Sequence, residues 1–147
     1  MKRQTHITGF YLETLLLIAV FVAIILVLTQ VFGLSRAQSG QAKLLTNAVT
    51  LAQNTAEAIS ASDSPEALLV LLDENGSARQ GEKGQILASY DADMTPAPGG
   101  SLTVEATWEP SDPDDSLVYS TVSVWYEGKA EPVYTLRTAV YLGEVAP

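Results

Sequence analysis

Few residues in this chain can do chemistry, and their spacing excludes more reactions than it allows. One carboxylate, Glu13, stands at the head of an apolar run. A charge at the edge of such a run is costly and needs a cationic partner or water. The chain has no cysteine, and its one histidine, His6, lies near the N-terminus. Thiol chemistry, disulfides and Cys-ligated metals are excluded, and little remains for general-base or zinc chemistry farther along. Asp112, Asp114 and Asp115 are hard ligands at close spacing, suited to calcium, but they lack the full loop pattern and read as a solvated acidic turn. Trp125, Tyr119 and Tyr141 could form an aromatic patch for a partner or glycan, although ordinary sheet packing accounts for them. Ser and Thr are plentiful, yet no Gly-x-Ser-x-Gly elbow or phosphate-binding Gly loop accompanies them. No enzyme, metal or cofactor is expected.

Charge narrows the partners. The 147 residues carry 8 Lys plus Arg against 17 Asp plus Glu, a formal net charge of −9. Lys2 and Arg3 open the chain with no acid among the first ten residues, so the segment from Gly33 onward is more acidic than the whole. Such a surface repels phosphate backbones, and no nucleic-acid partner is expected.

The element that positions Glu13 is legible at once. From Tyr11 to Leu34 the chain is almost wholly apolar, and Leu15–Leu28 holds no charged residue. A helix of about 24 residues spans about 36 Å, enough to cross a hydrocarbon layer of about 30 Å. Lys2 and Arg3 on its N-terminal side place that side in the cytoplasm and the remainder outside it. A cleaved secretory signal fits less well, because the apolar run is long and Gly33-Leu-Ser-Arg-Ala-Gln is a poor cleavage site. Chemistry alone leaves Glu13 two roles: an assembly contact, or a snorkelling side chain solvated at the cytoplasmic interface. Gln30 and Gly33 can serve helix packing, or simply mark the outer interface.

One arrangement is more specific. A short basic leader, Met1-Lys-Arg-Gln-Thr-His-Ile-Thr-Gly9, is followed by Phe10, then Glu13, then the apolar run. In this the chain resembles the type IV pilin-like family, which includes the pseudopilins of secretion and DNA-uptake machines. The resemblance covers roughly the first 35 residues. It implies cleavage between Gly9 and Phe10 by a prepilin peptidase, methylation of Phe10, and Glu13 as the assembly contact with a neighbouring subunit. Glu13 is the fourth residue after that cleavage point, one earlier than in the family. The function implied is a structural subunit, minor rather than major, of a type IV pilus-like or secretion-related filament, with the membrane, the peptidase and other pilin-like subunits as partners. The early Glu13 keeps an alternative open: an anchored extracytoplasmic binding or sensor module that never polymerises.

Beyond the anchor the period stays helical. Ala42, Leu45, Ala48, Val49, Ala52, Ala56 and Ile59 recur at spacings of three and four, and no proline occurs before Pro65. One long helix from about Tyr11 to Ser60 is expected, loosened if anywhere near Gly33 or Gly40. Ser64 or Asp63 can cap a short, buried helix that begins at Pro65, covers Ala67–Leu72 and ends at Asn75-Gly76. Strands are expected at Ile86–Tyr90, Leu102–Trp108, Leu117–Tyr126 and Val133–Leu142, the last two as a hairpin. The domains are then residues 1–9 as leader, 10–34 as membrane helix, 35–61 as amphipathic continuation and 62–147 as the extracytoplasmic domain. The fold class is α+β and pilin-like: a long N-terminal helix packed on an antiparallel sheet of about four strands.

Overall fold

The computed structural model describes residues 4–109 and 117–141, with side chains from Thr8 onward. The acidic turn at Asp112–Asp115 and the proposed end of the last strand at Leu142 lie outside the described residues. The chain divides into two compact units, residues 1–41 and 42–147. The first consists of the N-terminal part of helix α1, which runs from Gln4 to Ala61. Neither Gly33 nor Gly40 interrupts α1, and it begins at Gln4, upstream of the expected Tyr11. No proline is present to stop it, and the side-chain-free positions cost only propensity, about 1 kcal/mol each.

In the second unit a five-stranded antiparallel sheet has the order β1-β2-β3-β4-β5. Its strands are β1 (Ala78–Gln80), β2 (Ile86–Tyr90), β3 (Leu102–Trp108), β4 (Leu117–Tyr126) and β5 (Tyr134–Tyr141). The sheet is a meander, each strand pairing with the next in sequence. Four expected strands are present; β1 is a fifth that the pattern missed, because Ala-Arg-Gln has neither alternation nor β-branched residues. The expected hairpin forms, and its register sets Val118 opposite Val140, Val122 opposite Leu136 and Val124 opposite Tyr134.

One face of the sheet is dry. Ile86, Ala88, Leu102, Val104, Ala106, Val122 and Val124 are buried with Ala48, Leu51, Ala52 and Ile59 of α1 and with Leu68 in one core. The alternation of β3, buried at Leu102, Val104 and Ala106, is what a sheet covered on one side requires. The helical face turns out partly different from the one drawn through the alanines. Ala42 and Leu45 are exposed, whereas Asn47 and Thr55 are buried. Both polar groups are satisfied: Asn47 Nδ2 donates to Ala92 O at 2.9 Å, and Thr55 Oγ1 donates to Leu51 O at 2.8 Å.

Helix α2 (Pro65–Leu72) has the expected start. Ser64 is its N-cap, with its hydroxyl accepting from Ala67 N at 3.2 Å, and Pro65 opens the helix. Its expected burial is corrected. Leu68 alone is fully buried, while Val70 is 77% and Leu71 56% exposed. Eight residues make about two turns, so only one stripe can face the core while the opposite side faces out. The chain then reverses through Asn75 and Gly76, both at positive φ, into β1.

Candidate membrane and assembly segment

α1 presents the three residues singled out by the sequence on consecutive turns. Gly9 and Phe10 are helical, and Glu13 follows Phe10 by three positions, on the same helical face. A Cβ built at Gly9 would meet nothing within 4 Å, so the glycine is not demanded by packing. The Phe10 and Tyr11 rings meet edge-on, centroids 6.3 Å apart. Glu13 is exposed and makes no ion pair or hydrogen bond among the described residues.

The surface around Glu13 is what lipid would solvate. Large apolar side chains from Phe10 to Leu34 remain exposed, Phe10 at 68% and Leu34 at 66%. The helix is long and apolar enough to cross a membrane. Two hydroxyls on this stretch bond to the helix backbone: Thr14 Oγ1 donates to Phe10 O at 2.9 Å and Thr29 Oγ1 to Ile25 O at 2.8 Å. Gln30 and Gly33 are exposed on the same helix.

In the second unit the other face of the sheet carries a polar and aromatic network that sequence reasoning missed. Arg137 of β5 donates Nε to Glu109 Oε1 at 2.9 Å and Nη2 to Oε2 at 2.6 Å. Its guanidinium lies 4.6 Å from the Tyr119 ring centroid, and Thr121 Oγ1 adds a bond to Glu109 Oε1 at 3.3 Å. The Arg137 hydrogen bond holds the Glu109 carboxyl below its ordinary range. Trp125 Nε1 donates to Glu105 Oε2 at 3.2 Å. Of the aromatic trio, then, Tyr119 is covered by Arg137 and Trp125 is tied to Glu105, while Tyr141 is exposed on the edge strand. The signal in the sequence was the strand alternation, which puts Glu109, Tyr119 and Arg137 on one face; their pairing required the register.

A cavity of about 180 Å³ opens between the α1–α2 junction and the sheet, lined by Ile59, Pro65, Trp108, Val118 and Val140 among others. Asp63 at its rim is exposed, and the Ser120 hydroxyl in its lining is buried without a hydrogen-bond partner among the described residues. The walls are mainly apolar, with Ser62, Ser64, Ser120 and Asp63 as the polar members, and no histidine or lysine stands beside them to activate a serine. Among the described residues no cluster of three or more His, Asp or Glu gathers that could hold a metal ion.

No protein-family model, curated protein or solved structure matches the chain.

Proposed function

We propose that the chain is a pilin-like structural subunit, of the minor class, built into a type IV pilus-like or secretion-related filament through its N-terminal helix. The observation that carries this reading is Glu13: an unpaired carboxylate three residues after Phe10, on a helical stretch whose large apolar side chains from Phe10 to Leu34 are exposed. In this reading a prepilin peptidase cuts after Gly9 and leaves Phe10 as the mature terminus. The new amine and the freed N–H groups of the first turn create positive potential where Glu13 sits. Glu13 then offsets a neighbour's terminal amine as the helices leave the bilayer and pack together. Charge neutralisation in an apolar medium favours that pairing over an isolated carboxylate. The short basic start of the chain is cytoplasmic and the sheet-bearing unit is extracytoplasmic.

Co-expression with a prepilin peptidase and mass spectrometry of the product test the reading. A mature chain beginning at methylated Phe10 is the expected result. An intact Met1–Gly9 leader under those conditions overturns it.

A second reading, an anchored binding module that does not polymerise, draws on the Arg137–Glu109–Tyr119 network displayed on the open sheet face. Cysteine cross-linking within the anchor separates the two. Ladders of linked subunits support the filament, and monomers alone support the module.

A further inference from the structure

At one end of the sheet the core is not filled. Trp108 of β3 stands opposite Ser120 of β4, and Val118 of β4 opposite Val140 of β5, all on the dry face. α1 ends at Ala61, so this floor is roofed by Ile59 and by the turn into α2 at Pro65. Farther along β4 the same face carries Val122 and Val124, but position 120 has only a serine. A short side chain and a finished helix together leave the cavity of about 180 Å³.

The polar groups of this cavity are not equivalent. Ser62 Oγ donates to Ile59 O at 3.0 Å, and Ser64 Oγ accepts from Ala67 N at 3.2 Å. Asp63 is exposed to solvent at the rim. Ser120 is 1% exposed, and its hydroxyl has no hydrogen-bond partner among the described residues. A buried hydroxyl without a partner is costly, so its presence in a cavity wall calls for a group that enters the cavity and bonds to it.

We propose that this cavity binds a small, neutral aromatic molecule bearing one hydroxyl, a simple phenol, with its ring against Trp108 and its hydroxyl on Ser120 Oγ. Size sets the first limit. An apolar cavity of about 150 Å³ holds one benzene ring, so a single substituted ring fits here. A ring is favoured over an alkyl chain because the Trp108 indole adds aromatic pairing to burial. A neutral molecule is favoured because an anion would be desolvated beside Asp63, in a chain of net charge −9. Ser120 can donate or accept, and so can a phenolic hydroxyl, so either pairing completes the bond. The inference does not rest on filament assembly. Every residue it uses lies in the second unit, and Gly9, Phe10 and Glu13 take no part.

The chain supplies its own probe and its own control. It has two tryptophans: Trp108 lines the cavity, and Trp125 lies on the opposite face, bonded to Glu105. The full chain in micelles, isotope-labelled at tryptophan nitrogen, is titrated with phenol and with benzene while its two indole resonances are followed. Free ligand concentrations are corrected for micelle uptake. Phenol is expected to shift the Trp108 resonance saturably and leave that of Trp125 in place. Benzene, which cannot bond to Ser120, is expected to need about tenfold more free ligand for half-saturation. Ser120→Ala removes the hydroxyl without adding bulk. It is expected to erase that tenfold preference while benzene still binds. Val118→Phe puts a ring into the cavity and is expected to abolish both responses; if that variant does not fold, Ser120→Ala still decides. Equal half-saturation for phenol and benzene in the parent, or a preference that survives Ser120→Ala, overturns the pairing with Ser120 and with it the proposal. So does the absence of a saturable Trp108 shift, the result expected if water alone completes the serine.

Discussion

Arg137 and Glu109 meet in a two-point hydrogen bond, Nε to Oε1 at 2.9 Å and Nη2 to Oε2 at 2.6 Å, that spans from β5 over β4 to the end of β3. The fork geometry of guanidinium matches the carboxylate, and that match, rather than charge alone, fixes the pair. The Arg137 hydrogen bond is the main cause that lowers the Glu109 pKa from its ordinary 4.5.

A depressed carboxylate pKa sets a sign. The folded state binds the Glu109 proton less readily than the unfolded state does, so the pair contributes stability above 4.5 and loses it as pH falls through the folded value. Denaturant unfolding of the full chain in micelles, followed by Trp108 and Trp125 fluorescence, is expected to show that acid limb. Glu109→Gln should flatten it while leaving stability near neutral pH only modestly lower, because the pair is solvent-exposed. An unchanged acid limb in the variant would remove Glu109 from this role.

Tyr90 behaves in the opposite direction. Burial, and then the nearby Glu74 charge, raise its pKa above 10.0. Its neutral form is favoured in the folded state, so its contribution is complete below 10.0 and is lost as pH rises through the folded value. Tyr90→Phe should abolish that part of the alkaline destabilisation, measured by the same unfolding series above pH 10.0. If the alkaline limb persists in full, another group carries it.

Gly9 offers a clean separation of processing from folding. No neighbouring atom lies near its missing side chain, and Ala is a better helix former than Gly by about 1 kcal/mol. Gly9→Ala should therefore leave the helix intact by circular dichroism. Under the pilin-like reading it nevertheless reduces leader removal by the peptidase, read by mass spectrometry. Normal processing of Gly9→Ala would show that glycine is not required at that position.

The two sides of α2 should respond differently. Leu68 is fully buried in the core, and Leu68→Ala is expected to cost about 2–5 kcal/mol. Val70 is 77% exposed, and Val70→Ala should stay within about 0.5 kcal/mol of the parent. Urea midpoints of the two variants check this contrast, and equal midpoints would contradict the placement of α2.

A tighter contact lies at Gly100. A Cβ there would run into the backbone carbonyl of Tyr90, which no side-chain rotation relieves. Gly100→Ala is expected to destabilise by more than about 1 kcal/mol, because the loop leading into β3 must move. A thermal melt indistinguishable from the parent would count against this packing.

The sequence by itself determined the long helix, its apolar span, the Ser64-Pro65 start of α2 and four of the five strands. These follow from local pattern: the unbroken apolar run Leu15–Leu28, the absence of proline before Pro65, and strict alternation through Leu102, Val104 and Ala106. Only the tertiary structure decided the rest. β1 is a strand because β2 supplies its hydrogen bonds, and three polar-leaning residues carry no such signal alone. Asn47 is buried because Ala92 O, 45 positions away, arrives to accept its hydrogen bond. Arg137 and Glu109 bond because register, which depends on the whole hairpin, puts them on one face. Local propensity is a property of neighbours in sequence; burial of polar groups and cross-strand pairing are properties of neighbours in space, set only once the core has closed.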